Sequence, residues 1–169
     1  MRQRYLHRME LKEETRETSA PDGITICLYD RKRHHDQIPA VYANAFGESP
    51  WPTDWDCFPE FDPRGVFVAE LSGTAETVGY VISFQRKNIG YVSVLAVVPS
   101  FRRRGIGRAL VRAANAYLRS IGVETIQVDV FTDSAPAVTF YTDFGFRVVR
   151  TYEDRINEQG CGQECNGRG

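Results

Sequence analysis

The chain has 169 residues, 42% hydrophobic and 25% charged, which fits one globular domain with tails and excludes a disordered or fibrous polypeptide. Its 21 Lys and Arg nearly balance its 22 Asp and Glu, and a formal charge of −1 speaks against a generally basic nucleic-acid binder. The longest apolar run, around Val92–Val98, is too short for a bilayer, and the charged N-terminus has no apolar core behind it, so neither a membrane span nor a secretory leader is expected.

Residues 1–22 are polar and charge-dense, which predicts a mobile arm or short surface helix ahead of a domain at 23–152. Ile24–Tyr29 is β-rich. From Lys32 to Phe46 the apolar residues Ile38, Val41, Tyr42, Ala45 and Phe46 recur at helical spacing, and Gly47 ends the run. Residues 54–62 predict a short helix with Trp55, Phe58 and Phe61 on one side. Gly65–Leu71, Val78–Phe84 and Gly90–Val98 follow as three strands joined by short turns, which favours antiparallel hairpins. After Pro99 the period changes: Ile106, Leu110, Ala113, Ala114, Tyr117 and Ile121 outline a helix that Gly122 terminates. Glu124–Phe131 is a strand, Ser134–Phe144 a helix with Pro136 in its first turn, and Gly145–Tyr152 the last strand. A polar, glycine-rich tail occupies 153–169. The order predicts an α/β domain with a mixed, mostly antiparallel sheet of about six to seven strands and helices on both faces.

The near-zero charge conceals segregation. Residues 77–123 hold eight basic residues (Arg86, Lys87, Arg102, Arg103, Arg104, Arg108, Arg112, Arg119) and no acid. Residues 47–76 hold seven acids (Glu48, Asp54, Asp56, Glu60, Asp62, Glu70, Glu76) against Arg64 alone. Such asymmetry reports what each segment touches.

Chemistry concentrates in Leu95–Leu110 (LAVVPSFRRRGIGRAL), a strand, an Arg/Gly-rich turn and the start of a helix. The first amides of a helix lack intrahelical partners and face outward with the positive end of the dipole behind them. Gly105 and Gly107 let an anion approach the backbone, and Arg102, Arg103, Arg104 and Arg108 add charge, so the turn suits a diphosphate. No Gly-Lys-Ser/Thr follows the glycines, and the third glycine of a dinucleotide fingerprint is missing.

Leu95-Ala96-Val97-x-Pro99 followed by Arg102-x-x-Gly105-x-Gly107 resembles motif A of the GNAT superfamily of acetyl-CoA-dependent N-acetyltransferases. Ala137-Val138-Thr139-Phe140-Tyr141-x-x-x-Gly145-Phe146 resembles its motif B, and the likeness covers roughly residues 24–152. The resemblance implies acetyl-CoA as co-substrate and no metal. It implies that the backbone of Leu95, Ala96 and Val97 pairs with the pantetheine arm where two parallel strands splay apart. The amides of Arg103, Arg104, Gly105, Ile106, Gly107 and Arg108 would then hold the pyrophosphate, with Ser134 and Ala137 also against the coenzyme. Tyr141 would protonate the departing thiolate.

The chain departs from the family pattern at three places. Ser134 stands where an Asn often precedes motif B. Alternation places Tyr91, Ser93, Leu95 and Val97 on one face with no acid among them, which leaves Asp129 and Glu70 as candidate bases, or water, or no base at all for an amine that arrives partly neutral. The tail lacks the apolar seventh strand with which family members usually end, so a partner subunit completes the sheet as a homodimer, or the fold is truncated. The region after the first helix forms one acceptor wall in the family. Here it carries Trp51, Asp54, Trp55 and Asp56, suited to a cationic amine, with Tyr91 and Ser93 opposite. Solvated acids on a partly buried loop explain the same residues equally well.

Cys27, Cys57, Cys161 and Cys165 are too scattered for a disulfide framework, and suit a reducing cytoplasm. Cys27 and Cys57 lie outside both motifs, so an acetyl-cysteine route has no support, and Cys161-x-x-x-Cys165 lacks a second ligand pair for a metal. His34-His35-Asp36 fits the polar first turn of a helix. The expectation is a cytoplasmic enzyme that acetylates a primary amine of a small cationic molecule by direct attack in a ternary complex. The alternatives are a protein N-terminus or lysine as acceptor, a different acyl donor, and a catalytically silent CoA-binding module.

Overall fold

A computed structural model of the chain describes residues 3–15, 19–47 and 54–154. In chain order the elements are β1 (Tyr5–Leu11), β2 (Ile24–Leu28), α1 (Arg31–His34), α2 (Ile38–Phe46), β3 (Val66–Leu71), β4 (Thr77–Arg86), β5 (Ile89–Val97), α3 (Ile106–Ser120), β6 (Thr125–Phe131), α4 (Ala135–Phe144) and β7 (Phe146–Glu153), with 3-10 turns at Pro63–Gly65 and Pro99–Phe101. The seven strands form one mixed sheet ordered β2-β3-β4-β5-β6-β1-β7, antiparallel throughout except for the parallel pair β5/β6.

The largest departure from expectation is at the N-terminus. Tyr5–Leu11 is neither an arm nor a surface helix: it is β1, inserted between β6 and β7 and paired with both. Its period of two was present in the sequence. Met9 and Leu11 turn into the core with exposures of 0% and 8%, whereas Arg8 and Glu10 face the other way. The sheet therefore obtains its seventh strand from Tyr5–Leu11 and not from the tail.

Beyond β1 the backbone runs toward α3. The amides of Lys12 and Thr15 donate to the carbonyls of Gly145 and Phe144, at 3.0 and 3.1 Å. Glu14 accepts from Asn115 Nδ2 at 3.1 Å and pairs with Arg112 at 3.4 Å. Gly145 is obligatory here: its φ is +121°, and a Cβ would lie 1.7 Å from the Glu13 carbonyl oxygen.

The single helix expected over 32–46 is two. Asp30 caps α1, accepting from the amides of Lys32 and Arg33, and Pro39 at the start of α2 lacks the N–H needed to carry α1 onward. Residues 54–62 form turns rather than a helix, with Cys57 N donating to Asp54 O and Phe61 N to Phe58 O.

Two apolar clusters sandwich the sheet. On one face α3 and α4 cover Met9, Val81, Val92, Val128 and Phe146 with Ile106, Leu110, Leu118 and Phe144. Full burial of a leucine such as Leu110 contributes about 1.5–3 kcal/mol. On the other face Ile38, Val41 and Ala45 of α2 join Tyr29 and Trp55 over Val66, Val68, Tyr80, Ile82 and Ala96, so this layer covers β3 to β5.

Candidate functional site

The parallel ladder between β5 and β6 is short. It runs from Ile89 opposite Thr125 to Tyr91 opposite Gln127 and stops, whereas β5 stays paired with β4 as far as Val97 opposite Gly79. Beyond Tyr91 the edge of β5 that faces β6 is left without a ladder partner, a split in the middle of the sheet that can take an extended ligand by strand addition. The backbone of Leu95, Ala96 and Val97 lies along it.

Ser93 sits at an irregularity in β5. Ile82 pairs with Val94 and Ser83 with Val92, so Ser93 is an extra residue that reverses the alternation. Val92, Leu95 and Val97 pack into the α3 cluster, whereas Val94 and Ala96 join the α2 cluster. Tyr91 lies on the α2 side too, stacked on Phe84 with centroids 5.6 Å apart. The expected single face of Tyr91, Ser93, Leu95 and Val97 therefore does not exist; the bulge divides it.

At the far end of the split the chain turns into α3. Arg103 and Gly105 both adopt left-handed backbone, with φ of 63° and 87°. Gly105 caps α3 without any side-chain hydrogen bond, and a Cβ there would meet nothing within 4 Å. At Gly107 a Cβ would only touch the Phe140 ring at 3.4 Å. The first-turn amides of Ile106, Gly107 and Arg108 are thus free of capping groups and approachable.

The four arginines of this turn have different surroundings. Arg102 points back, donating through Nε to Val97 O at 3.0 Å and through Nη2 to Ala45 O, and so fastens the end of α2 to the end of β5. Arg108 donates to Thr15 O at 3.2 Å and lies 5.4 Å over the Phe144 ring. Arg103 is exposed, and Arg104 is exposed above Phe101. An anion at the turn meets Arg103 and Arg104 first.

Tyr141 on α4 is 6% exposed and stands edge-on to Phe140 and Phe146. It belongs to the cluster that includes Leu95 and Val97 of β5 and Val128 and Val130 of β6, the strands that flank the split. Burial pushes its phenol well above the ordinary value, which already keeps a phenol protonated at neutral pH. Ala137 packs on the same cluster, and Ser134 stands just before α4 with no side-chain capping bond.

Of the two candidate bases, the structure separates Glu70 from the split. Glu70 lies on β3, two strands from β5, where it accepts from Arg33 Nη2 through both oxygens at 2.8 and 2.9 Å and from His34 Nε2 at 2.7 Å. His34 Nδ1 accepts from the Asp30 amide, which fixes the proton on Nε2. Burial alone would raise the Glu70 carboxyl, but the bond to His34 and the charge of Arg33 outweigh it and hold the group below its ordinary value. Cys27 shares this cluster, its ligand atom within 4.8 Å of those of His34 and Glu70, yet the Glu70 oxygens are already engaged by the Arg33 ion pair and the His34 hydrogen bond. Burial, with the Glu70 charge beside it, pushes the Cys27 thiol up to about 11, which makes it a poor nucleophile.

Asp129 is at the split, on β6 two residues past the last ladder pair. Both its oxygens accept from Arg8 of β1, from Nε at 3.0 Å and Nη2 at 2.9 Å, and the same Nη2 donates to Tyr152 Oη at 3.3 Å. The Asp129 hydrogen bond outweighs the cost of burial and holds the Arg8 guanidinium above its ordinary value. Beside it Gln127, 9% exposed, has no hydrogen-bond partner for its Oε1 among the described residues. Arg8, Tyr152 and Gln127 were not among the residues expected from the sequence; the alternation of β1 was the signal that would have brought Arg8 in.

The described part of the aromatic-acidic segment, 54–62, does not present all of its expected residues outward. Trp55 and Asp56 turn inward, with exposures of 8% and 7%. Trp55 stacks on His35 and packs edge-on to Tyr29 and Phe61, while Asp56 pairs with Arg31 and His35. Asp54 is exposed, and Trp51 lies outside the described residues, as do Cys161 and Cys165. No helix among the described residues is long and apolar enough to cross a membrane.

Comparison with known proteins agrees with this geometry. Residues 32–146 match the acetyltransferase (GNAT) family. A mycothiol acetyltransferase of Thermobispora bispora is 32% identical over 141 residues, 75% of this chain and 47% of that protein. A GCN5-related N-acetyltransferase from Sphaerobacter thermophilus superimposes with a TM-score of 0.77 at 22% identity, over 89% of this chain and 50% of that one. Naa50 of Arabidopsis thaliana, solved with a bisubstrate analogue of CoA, superimposes at 0.62 with 18% identity over 76% of this chain and 85% of that one. The chain spans about half the length of the curated relatives it matches. It belongs to the GNAT acetyltransferase family.

Proposed function

We propose that the chain transfers the acetyl group of acetyl-CoA to the primary amine of a small molecule by direct attack within a ternary complex. The observation that carries this reading is the split itself: the β5/β6 ladder stops at Tyr91 opposite Gln127, and the free edge of β5 leads to the uncapped, glycine-lined start of α3. The β5 edge offers backbone donors and acceptors to the two amides of a pantetheine arm, and the α3 amides with Arg103 and Arg104 offer positive charge to its diphosphate. Family membership and the acetyltransferase names of the relatives support the same reading.

In this mechanism a neutral amine attacks the thioester carbonyl; a C–N bond forms and the C–S bond breaks. The Tyr141 phenol, protonated at neutral pH as any phenol is, gives its proton to the departing sulfur and recovers one from the acetylated nitrogen through solvent. Amine deprotonation needs no glutamate on β5 if the acceptor arrives uncharged, and Asp129 is the carboxylate closest along β6 to the end of the ladder.

The inward turn of Trp55 and Asp56 removes most of the reason for a strongly cationic acceptor, so a small amine is retained and the cationic requirement is not. Calorimetry with acetyl-CoA and thiol release over an amine panel test the proposal. Saturable binding and amine-dependent thiol release are expected. Binding without turnover on any amine would favour the silent module, and no binding of any CoA ester would overturn the reading entirely.

A further inference from the structure

The two faces of the β6-β1-β7 half of the sheet differ sharply. On one, Met9, Leu11, Val128, Val130 and Phe146 pack beneath α3 and α4. On the other, the α2 layer stops at β5, and the described residues place no helix over β6, β1 and β7. The side chains there form a row set by register: Asp129 on β6, Arg8 on β1 and Arg150 on β7 lie opposite one another, starting at the split and running outward. In the next row Phe131, Leu6 and Tyr152 are aligned in the same way.

The charges of this face do not cancel. Asp129 is matched by Arg8, and Glu10 by Lys12 at 2.6 Å. Arg150 lies 5.8 Å over the Tyr152 ring and Arg4 lies 3.7 Å over the Phe131 ring, and among the described residues neither has a carboxylate partner. Asp129 and Arg8 keep 31% and 30% of their side chains exposed, so a ligand can reach both. Arg8 uses only Nε and Nη2 on its partners, which leaves the donors of Nη1.

We propose that this face is the acceptor platform and that it selects an amine tethered to a carboxylate, with Asp129 taking the amine at the split and Arg8 and Arg150 taking the carboxylate further out. The inference rests on the acetyl-transfer reading above and adds the class of acceptor. Adjacent strands are about 4.8 Å apart, so one to two strand spacings put the two ends of the acceptor about 5–10 Å from each other. An α-amino acid is too short to reach both, and an ω-amino acid of four to six carbons spans the row. The N-terminal strand is thereby a specificity element as well as a structural one.

Steady-state kinetics on the full chain with glycine, 4-aminobutanoate, 6-aminohexanoate, their carboxamides and 1,5-diaminopentane test this. The two longer amino acids are expected to exceed their amides in kcat/KM by tenfold or more, with glycine far behind. Arg150→Gln combined with Arg4→Gln, both exposed and on the open face, is expected to raise KM for the amino acids and lower the acid-to-amide ratio severalfold, Arg8 supplying what remains, while the Kd for acetyl-CoA stays the same. Arg8→Lys keeps the charge without the fork and is expected to retain part of the preference. Amides or the diamine turning over as fast as the acids, or a preference undiminished by the double substitution, overturns the inference while leaving acetyl transfer intact. Acetyl-CoA binding with no turnover of any amine removes the acetyl-transfer reading and this inference together.

Discussion

The two halves of the sheet are built on different plans. β3 to β5 are packed by α3 on one face and by α2 with the 54–62 segment on the other, and β4 accordingly is buried along most of its length, Thr77–Ser83. Among the described residues β6, β1 and β7 carry helices on one face only; β1 alternates between core and charge over residues 8–11, whereas β7 is buried at Phe146 and exposed over 147–151. The split falls at the junction of the halves, where β5, held by β4, parts from β6, held by β1. A coenzyme strand can enter there without disturbing either half, because each has its own pairing and its own core contacts.

The comparison breaks most severely if β1 is lost. A chain beginning after Leu11 leaves β6 and β7 without their shared partner and removes two buried side chains, Met9 and Leu11. It is expected to show no cooperative unfolding transition by circular dichroism. The milder Met9→Ala is expected to cost about 2–5 kcal/mol in denaturant titrations. A truncated chain that folds and binds acetyl-CoA would mean the open half does not depend on its central strand.

Gly145→Ala comes next. The added Cβ would collide with the Glu13 carbonyl, and its left-handed φ is unfavourable for alanine, so the crossing from β1 toward α3 must shift. A loss on the order of 3 kcal/mol is expected in chemical denaturation. Gly105→Ala, with the same handedness but open space, is expected to cost only about 1 kcal/mol and to show mainly as weaker coenzyme binding. Equal losses at the two glycines would show that backbone strain, not the steric clash, dominates.

At the junction itself, Tyr141→Phe keeps the ring packing on Phe140 and Phe146 and removes the proton donor. The expected result is a fall in kcat of about 10²-fold, with the acetyl-CoA Kd and the melting temperature nearly unchanged. Among the arginines the two halves of the turn should separate. Arg103→Gln and Arg104→Gln are expected to weaken acetyl-CoA binding severalfold at low salt and hardly at high salt. Arg102→Gln is expected to lower stability by about 1 kcal/mol, because it releases the carbonyls of Val97 and Ala45.

The parts of this fold that were legible in the sequence are those where the local pattern and the tertiary environment agree. The stripe of α3, the three strands over 65–98, and the Gly-rich turn all have their structural positions written in residue type and period. β1 has only seven residues, and its outward face carries Arg8 and Glu10, so its composition suggested an arm although its alternation was that of a strand. The bulge at Ser93 has no compositional mark, and one extra residue was enough to divide an expected face in two. Trp55 and Asp56 are ambiguous for a different reason: an aromatic-acidic segment looks the same whether its carboxylate meets a ligand or, as here, Arg31 and His35. Arg102 and Arg108 carry the charge expected of a phosphate turn, but each also meets a carbonyl far away in the chain, Ala45 and Thr15.

The smallest expected effect lies in the covered half and concerns pH. Asp62 accepts from Arg64 Nε at 3.1 Å and Nη2 at 2.7 Å and from Tyr117 Oη at 2.9 Å, which ties the entry of β3 to α3. The Arg64 hydrogen bonds, against a smaller opposing effect of burial, hold its carboxyl down from 3.8 to about 2. A group with a lowered folded value adds stability above its unfolded value and loses it as pH falls through the folded one. The stability difference between the native chain and Asp62→Asn should therefore be full above about pH 4 and shrink between pH 4 and 2. Denaturant titrations at several pH values measure it. A difference that stays constant across that window would mean that Asp62 acts through hydrogen-bond geometry alone, and that its charge contributes nothing to the contact between β3 and α3.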